Sequence, residues 1–430
     1  MNQAARRNSE RPFGFWTAVA LVVGGVIGAG IYAVPSQVAP LGWTGPIGWI
    51  AGGSGALIIG RVLSALTAAR PGEPGLIAII GTALGPVAGV LVGWGAWVSY
   101  WCANAYIALT AARYAGQIIP ALAASPLRQA LTAGALIVGL TLLNLTGLKS
   151  SGRFQVITTV LKLLPLVAVM LIVAGMAGTD RAAFTAVPQA PFSLAALLPA
   201  TALAMVAIIG FESASIAAER IRDPERNVPR ATMVGIVLAC GIYLVVCTGI
   251  TFTVPEAALV GSNAPVALFI ERHWGGWAGT LVAAFAVIST VGCLNVWVLL
   301  QGEVPLGLAR AGLLPDWFAH TNSRDIATVP LVLASALACA LLLLGSWRGG
   351  AIMDFMLQLT AVSGVWIYAF AGLTALRLRI RPVLGLLSVL FSVGIMIGSG
   401  VEAVMLSIAL MLAALPLYAL TLRAARPRPV

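Results

Sequence analysis

Two ionisable side chains, Glu212 and Lys162, stand inside long apolar stretches of this 430-residue sequence. A charge at membrane depth costs at least about 2.5–3.5 kcal/mol, so such a residue is a functional candidate by default. Glu212 follows Gly210 closely and could bind and release a proton, or it could be a structural carboxylate held by backbone N–H groups. Lys162 lies about 15 Å into its apolar run and could carry a proton, or extend its ammonium to the membrane surface.

The sequence contains few residues suited to metal binding or redox chemistry. It has only two His, far apart, and its five Cys lie singly in apolar runs, at Cys102, Cys240, Cys247, Cys293 and Cys339. This spacing indicates neither a disulfide framework nor a zinc site. No phosphate-binding G-x-x-x-x-G-K-[ST] pattern occurs either. We therefore expect no metal, no cofactor, no ATP-driven pumping and no enzymatic activity.

Two apolar stretches are interrupted by glycine. The first reads GGVIGAGIYAVP at 24–35, and the second reads AIIGFESAS at 207–215 with Gly210 close to Glu212. Unwound backbone at membrane depth persists only where it is buried or lines a polar cavity. Paired interruptions in corresponding helices indicate the substrate site of a transporter. The alternative is that these glycines only allow close helix packing.

The elements that must position these residues are membrane-spanning helices. The sequence is 60% hydrophobic and only 9% charged, whereas a soluble domain has about 25% charged residues. A span needs about 20 apolar residues, and twelve segments qualify: 15–37, 45–67, 86–119, 127–146, 154–177, 193–218, 231–253, 277–302, 328–346, 352–376, 382–399 and 402–422. We expect a single transmembrane domain over 1–430, with an all-α fold and no separate soluble domain.

The basic residues predict how the chain is oriented. Nineteen of the 25 Lys and Arg residues fall on one side of the predicted spans, and four fall on the other, at Arg128, Arg181, Arg272 and Arg348. The positive-inside rule then places both termini in the cytoplasm. The net charge of +11 is thus a topology signal and does not indicate a nucleic-acid partner. The first apolar stretch lacks a small-residue cleavage pattern, so we expect a span there and no cleaved signal peptide.

Four segments resemble those of a known superfamily: GVIGAGIYAVPSQVA at 25–39, LKLLPL at 161–166, GFESASIAAERIRDPERNVPRAT at 210–232 and ARAGLLPDWFA at 309–319. The chain is similar to the amino acid–polyamine–organocation superfamily, and within it to the basic amino acid/polyamine antiporters. The resemblance implies a LeuT-like fold with two inverted repeats of five helices, at about 15–177 and 193–376, broken first and sixth helices, and two further helices at 382–422.

The resemblance also implies roles for individual residues. The first interruption would bind a substrate carboxylate, and the carbonyls of the second would hold the α-amino group. Other positions match pocket residues of the third, sixth, eighth and tenth helices, with the hydroxyl of the tenth helix supplied by Thr360 or Ser363. The implied substrate-binding residues are Ile27, Gly28, Ala29, Gly30, Trp101, Asn104, Val206, Ile209, Gly210, Trp297, Thr360 and Ser363. Glu212 matches a proton-sensing glutamate, and Lys162 resembles a lysine that replaces a bound sodium ion in other branches.

Departures from the antiporter pattern bear on the substrate. Val206 replaces the gating tryptophan of the arginine/agmatine exchangers, Ala29 replaces a serine, and Gly25 replaces an asparagine. Several contacts for a cationic guanidinium are thus missing. A smaller or more apolar amino acid is at least as well supported as arginine or agmatine.

The sequence thus predicts a sodium-independent amino acid transporter of the inner (plasma) membrane that works by alternating access. Amino acid/amine exchange and proton-coupled import or export of small apolar amino acids remain open as mechanisms. Expected partners are a small amino acid or amine, protons and membrane lipid, with a homodimer left open and no nucleic acid. A non-transporting membrane sensor is the distant alternative. Toward the cytoplasmic side, Glu303 and Arg310 are expected in a gate or loop network, and Pro229 at the start of the seventh span.

Overall fold

The computed structural model describes residues 11–70, 73, 75–122, 124–179, 190–260, 262, 264–348 and 351–424. Of the basic residues that entered the predicted orientation, Arg6, Arg7, Arg181, Arg426 and Arg428 lie outside these ranges. The described part of the chain is helical apart from short loops and two isolated β-bridges.

The first half of the chain forms seven α-helices. They are α1 (Phe15–Val26), α2 (Ala29–Val38), α3 (Thr44–Ala69), α4 (Leu76–Leu84), α5 (Pro86–Ile118), α6 (Pro126–Leu145) and α7 (Leu148–Thr179). Short 3-10 turns follow α2 at Ala39–Leu41 and α5 at Pro120–Leu122. α1 and α2 together occupy the first predicted span, with Ile27 and Gly28 outside both helices.

The second half forms eleven more α-helices. They are α8 (Leu194–Ile208), α9 (Ser213–Ile216), α10 (Pro224–Thr251), α11 (Glu256–Val260), α12 (Pro265–Trp274), α13 (Gly276–Arg310), α14 (Thr328–Arg348), α15 (Ala351–Arg377), α16 (Pro382–Ser399), α17 (Val401–Leu412) and α18 (Leu415–Ala424). The 3-10 turns Ala218–Arg220 and Asp316–Ala319 follow α9 and α13. The sixth predicted span is therefore divided between α8 and α9.

Nine helical segments of the described chain are long and apolar enough to cross a membrane, and two shorter apolar helices, Leu194–Ile208 and Val362–Arg377, accompany them. α5 is 33 residues long but is not among the nine. The count of twelve spans therefore stays a prediction. Phe15–Leu41 is the most buried of the nine segments and Val401–Arg423 the least, so the interrupted first span lies at the centre of the bundle and the last span at its edge.

Two helix boundaries differ from those predicted, and proline explains both. The seventh predicted span begins at Pro224 instead of near Pro229, because a proline at the first helical position gives up an N–H that has no helical partner there anyway. The twelfth predicted span is divided into α17 and α18. Pro416 cannot donate a hydrogen bond back to Leu412, which interrupts the helix at this point.

A small clasp joins the two interrupted regions on one side of the bundle. The Phe13 N–H donates to Arg220 O at 3.0 Å, and the Arg222 N–H donates to Phe13 O at 2.8 Å. The Phe13 ring is buried. The segment before α1 is thus fixed to the loop after α9, so movements of the two regions are linked at this end.

Candidate functional site

A cavity of about 60 Å3 lies where the interruptions of the first and sixth spans meet α5, α13 and α15. Its lining is mostly apolar, with the side chains of Gln37, Tyr106, Cys293 and Thr360 as polar exceptions. None of the described residues that line it is acidic or basic. The lining consists of Gly25, Val26, Ala29, Gly30, Val34, Gln37, Ala103, Tyr106, Ile107, Leu203, Val206, Ala207, Ile209, Cys293, Trp297 and Thr360.

The carboxyl end of α1 is capped by a lysine. A helix end leaves four carbonyl groups without helical partners. The Lys162 ammonium, which is fully buried, donates to Gly24 O at 3.0 Å and to Ile27 O at 2.6 Å. It therefore sits among the carbonyl oxygens of the α1 end, as a bound cation would, and does not extend to the membrane surface.

Other side chains donate to the two remaining carbonyls of this end. Gly25 O accepts from Trp297 Nε1 at 3.1 Å and from Cys293 Sγ at 3.3 Å. Val26 O accepts from the Tyr243 hydroxyl at 3.0 Å. All four carbonyls from Gly24 to Ile27 thus have donors from α7, α10 or α13. Side chains of three helices therefore stabilise the break.

The amino end of α2 faces the cavity. Its first N–H groups have no partners within the helix and carry a partial positive charge. Ala29 and Gly30 line the cavity, but Ile27 and Gly28 do not. Gly28 is instead packed against Cys293, whose sulfur would collide with any side chain at this position. The arrangement can bind a carboxylate at Ala29 and Gly30.

The interruption of the sixth span depends on Gly210. Its φ of +117° is a conformation that favours glycine, and an added Cβ would lie 2.7 Å from Gly25 O. Gly210 O accepts from the N–H and the hydroxyl of Ser213, so it is not open to a ligand. Ile209 lines the cavity but Gly210 does not. The two interruptions therefore touch each other directly through Gly25 and Gly210.

Glu212 does not line the cavity but is hydrogen-bonded to the adjacent interruption of the sixth span. Its side chain is only 1% exposed, and Oε2 accepts hydrogen bonds from the Gly210 N–H at 3.0 Å and from the Tyr368 hydroxyl at 2.7 Å. The Phe211 ring stacks on Tyr368 with centroids 5.0 Å apart. The carboxyl group thus joins the interrupted sixth span to α15, and a change in its protonation would act on both.

The other predicted site residues divide into two groups. Val206, Trp297 and Thr360 line the cavity, whereas Trp101, Asn104 and Ser363 do not. The Asn104 amide donates to Gln301 Oε1 at 2.6 Å, and so links α5 to α13. Ser363 Oγ is buried and has no hydrogen-bond partner among the described residues.

Sequence reasoning missed the residues of α5 that do line the cavity. They are Ala103, Tyr106 and Ile107, which share one helix face through their i, i+3 and i+4 spacing. Trp101 and Asn104 lie on other faces, because adjacent residues of an α-helix point about 100° apart. Cys293 and Gln37 were also missed. Cys293 could have been found from its position four residues before Trp297 on α13, one turn away on the same face.

A network of ion pairs closes the side of the bundle that carries the Phe13 clasp. Arg220 pairs with Glu303 at 3.2 Å and with Asp325 at 2.6 Å, and Arg310 pairs with Glu219 at 3.3 Å and with Asp325 at 2.7 Å. Glu303 and Arg310, expected in such a network, are joined in it through Arg220 and Asp325. Partial burial disfavours the Asp325 charge, but Arg220 and Arg310 outweigh this effect and hold the Asp325 pKa below its ordinary value.

A family model described as "Amino acid permease" matches residues 13–425. The chain belongs to the amino acid permease family. The permease is thus a multi-pass membrane protein that transports amino acids and is not an enzyme. It shares 28% identity with the cadaverine/lysine antiporter of Escherichia coli K12, over 83% of this chain and 80% of that one.

Three further matches extend this result. The permease is 28% identical to a putative arginine/ornithine antiporter of Bacillus subtilis over 76% of each chain, and 25% identical to the arginine/ornithine antiporter ArcD1 of Lactococcus lactis over 96% of this chain and 84% of that one. It also matches the structure of Mhp1, a nucleobase-cation-symport-1 family transporter, in a closed conformation with bromovinylhydantoin bound. That match has a TM-score of 0.58 and 17% identity, covers 97% and 96% of the two chains, and shows a LeuT-like fold alone.

Proposed function

We propose that the permease is a sodium-independent secondary transporter of small neutral amino acids, and that the cavity between the two interruptions is its substrate site. The first ten predicted spans would form two inverted repeats of five, about 15–177 and 193–376, within a single transmembrane domain that has both termini in the cytoplasm. The repeats would expose the cavity alternately to the two sides. The observation that carries this proposal is the cavity itself, which joins an α2 amino end to an apolar lining.

The amino acid backbone has a complementary partner at each end of the cavity. Its carboxylate would accept hydrogen bonds from the N–H groups at Ala29 and Gly30, where the partial charge of the helix end is positive. Its ammonium would lie against the carbonyl end of α8 beside Ile209, because the carbonyls of Gly24 to Ile27 already have donors. In this proposal, Ala29, Gly30 and Ile209 contact the substrate directly. The other three predicted residues of the interruptions, Ile27, Gly28 and Gly210, would only maintain the shape of the breaks.

Size and charge support a small neutral side chain. A space of about 60 Å3 holds roughly four to six non-hydrogen atoms, about the size of glycine or alanine. A lysine or arginine side chain would need a counter-charge, and the described lining contains no carboxylate. Val206, Ala207 and Ile209 would instead contact an apolar group.

Lys162 supports sodium independence. Its ammonium occupies the carbonyl cluster at the α1 end, where a cation would otherwise be bound, and it is part of the chain at every step of transport. Substrate transport would then be driven by exchange of one substrate for another, or by a proton that binds to Glu212.

Exchange of a basic amino acid for an amine is the second candidate, and the antiporter relatives favour it. It requires Gln37, Tyr106 and Thr360 to solvate the cationic end of the substrate when the cavity is more open than here.

Uptake by proteoliposomes in sodium-free buffer separates these possibilities. Labelled glycine, alanine, serine, leucine, lysine, arginine and cadaverine are offered to vesicles that are empty or loaded with unlabelled substrate, with protein-free vesicles as the control. We expect uptake of alanine-sized neutral amino acids without sodium. Saturable uptake of lysine or cadaverine alone would establish the second candidate, and uptake that requires sodium would overturn the role given to Lys162.

Loaded and empty vesicles also distinguish the coupling mode. Uptake only into loaded vesicles indicates obligatory exchange. Uptake into empty vesicles that is driven by an acidic exterior indicates proton symport. If none of the compounds in the panel is taken up, the assignment of the cavity as an amino acid site is ruled out.

A further inference from the structure

A second concave region lies away from the cavity, between α3, the start of α10 and the start of α16. It measures about 380 Å3 and is lined by Arg61, Ser64, Ala65, Ala68, Pro229, Met233 and Arg381. We call it the arginine groove. α10 begins directly after the loop that carries Arg220, so the arginine groove opens on the same side of the bundle as the ion-pair network, which is the predicted cytoplasmic side.

The two arginines of the groove lack partners. Neither the Arg61 guanidinium nor the Arg381 guanidinium makes a hydrogen bond or an ion pair with any residue that the structure describes. Arg61 lies inside α3, eight residues before its end at Ala69, or about 12 Å along the axis. Both arginines are exposed on the surface of the bundle, so an anion from outside can reach their charges. Two guanidinium groups that line one groove without a partner in the described chain form a positively charged site to which an anion can bind.

A buried hydroxyl provides a further point of contact. Ser64 lines the groove, is 5% exposed, and its Oγ has no hydrogen-bond partner among the described residues. It is three residues after Arg61 on α3 and so lies on the same face of that helix. A hydroxyl donor beside two guanidinium groups matches a phosphate, whose oxygens accept several hydrogen bonds at once.

Apolar surface leads from the groove toward the middle of the membrane. Val237 follows Met233 by one turn on α10 and is 57% exposed. On α16, Val383 is 71% exposed, and Leu386 and Leu387 are exposed as well. These exposed side chains offer apolar contacts to the acyl chains of a lipid whose headgroup lies at Arg61 and Arg381.

We propose that the arginine groove binds the phosphate of an anionic phospholipid, such as phosphatidylglycerol, from the leaflet on the predicted cytoplasmic side. The two guanidinium groups and the Ser64 hydroxyl hold the phosphate, and the acyl chains lie along α10 and α16. Basic pockets between membrane helices are suited to anionic headgroups for this reason. The site is separate from the substrate cavity, since no residue lines both.

Native mass spectrometry of the full chain in detergent tests the proposal. The protein is titrated with phosphatidylglycerol and with phosphatidylcholine of identical acyl chains. We expect tighter binding of phosphatidylglycerol, and a loss of roughly 30-fold in its affinity for the R61Q/R381Q variant. The matched control R377Q/R423Q removes two exposed arginines outside the groove and should bind like the original protein.

Three results decide the outcome. Equal binding of phosphatidylglycerol by R61Q/R381Q and by the original protein overturns the proposal. Binding of millimolar inorganic phosphate that is lost in R61Q/R381Q, together with equal affinities for phosphatidylglycerol and phosphatidylcholine, shows that the groove takes soluble phosphate and that the lipid assignment is wrong. If R61Q/R381Q does not fold, Ala65→Phe fills the groove but keeps both arginines, and it must weaken phosphatidylglycerol binding for the proposal to stand.

Discussion

Lys162 and Glu212 occupy comparable places at the two interruptions. Lys162 donates to carbonyl groups at the end of α1, and Glu212 accepts from the Gly210 N–H and the Tyr368 hydroxyl. Each is buried and each contacts backbone that has left the helical hydrogen-bonding pattern. A change at either residue therefore acts on the geometry of a break without touching the substrate.

Substitution of Lys162 by alanine is expected to abolish most transport. It leaves Gly24 O and Ile27 O buried without their charged donor, and a hydrogen bond to a charged group contributes about 1.5–3 kcal/mol. Counterflow uptake in proteoliposomes measures the effect. Added sodium should restore part of the K162A rate and leave the original protein unchanged. Wild-type rates for K162A without sodium would show that the ammonium has no part in transport.

Glu212→Gln is expected to remove the pH dependence of transport between about pH 5 and 8 while substrate binding persists. Glutamine can still accept from the Gly210 N–H and the Tyr368 hydroxyl, so the local contacts survive the loss of the titrating group. Uptake rates across the pH range, together with binding by the detergent-solubilised protein, measure the two properties. Tyr368→Phe, which removes one donor and keeps the carboxyl group, is the control and should retain pH dependence. An unchanged E212Q pH profile excludes Glu212 from coupling.

At the scale of elements, the two interrupted spans form one unit. α1 ends and α8 ends where Gly25 and Gly210 come into contact, and the Phe13 clasp joins the same two regions at the bundle end. A shift in one interruption must therefore be accommodated by the other. The ion-pair network closes that end of the bundle through α13 and the loop before α14.

Gly210→Ala is expected to lower stability by about 2 kcal/mol or more and to stop transport. The residue would need a φ of +117° and would place its Cβ 2.7 Å from Gly25 O. Gly139→Ala on α6 is the matched control, because nothing lies within 4 Å of its added Cβ and alanine favours a helix. Thermal unfolding in detergent compares them. Equal melting temperatures for G210A and G139A would contradict the need for glycine at the break.

The pH response of the ion-pair network is predicted to lie outside the physiological range. Because the Asp325 pKa is lowered by folding, its stabilising effect is present above the ordinary Asp pKa and is lost as pH falls through the lowered value. Asp325→Asn should therefore favour opening at this end without altering the shape of the pH profile between about pH 5 and 8. Accessibility of an engineered cysteine near Arg310, with R324Q as a charge control, reports the opening. A changed pH profile in D325N would assign pH sensing to the network instead.

At the scale of the whole molecule, the cavity is small and is lined by helices of both proposed repeats. Under the proposed alternating-access mechanism, substrate reaches it when the bundle opens on one side at a time. Cys293 gives a direct probe of this access, because it lines the cavity and the other four cysteines do not.

A variant that retains only Cys293 is expected to be inactivated by a small thiol reagent, and saturating substrate should slow the reaction. The reagent must enter through an open state, and bound substrate covers the cavity that it has to reach. Inactivation rates with and without the substrate identified by uptake measure the protection. Cys293→Ser in the same background should be resistant. Substrate that fails to protect Cys293 would mean that the transported molecule binds elsewhere.

The sequence by itself determined the class of protein and pointed to Lys162 and Glu212, which lie at the two interruptions. Apolar runs long enough to span a membrane require helices, since only helices satisfy the backbone within one segment. Glycines at 24–35 and beside Glu212 indicated which segments depart from regular helix, and the lysine deep in an apolar run was a functional candidate. These conclusions depend on local composition and spacing, which a sequence displays directly.

Only the tertiary structure decided which side chains meet. Ala103, Tyr106 and Ile107 line the cavity in place of Trp101 and Asn104, because the rotation of α5 is set by its packing against α13 and α15. Cys293 and Tyr243 complete the carbonyl caps of α1 from helices remote in sequence. The arginine groove joins α3, α10 and α16 in the same way. Such contacts arise from the relative placement of distant helices, and no local pattern in the sequence encodes that placement.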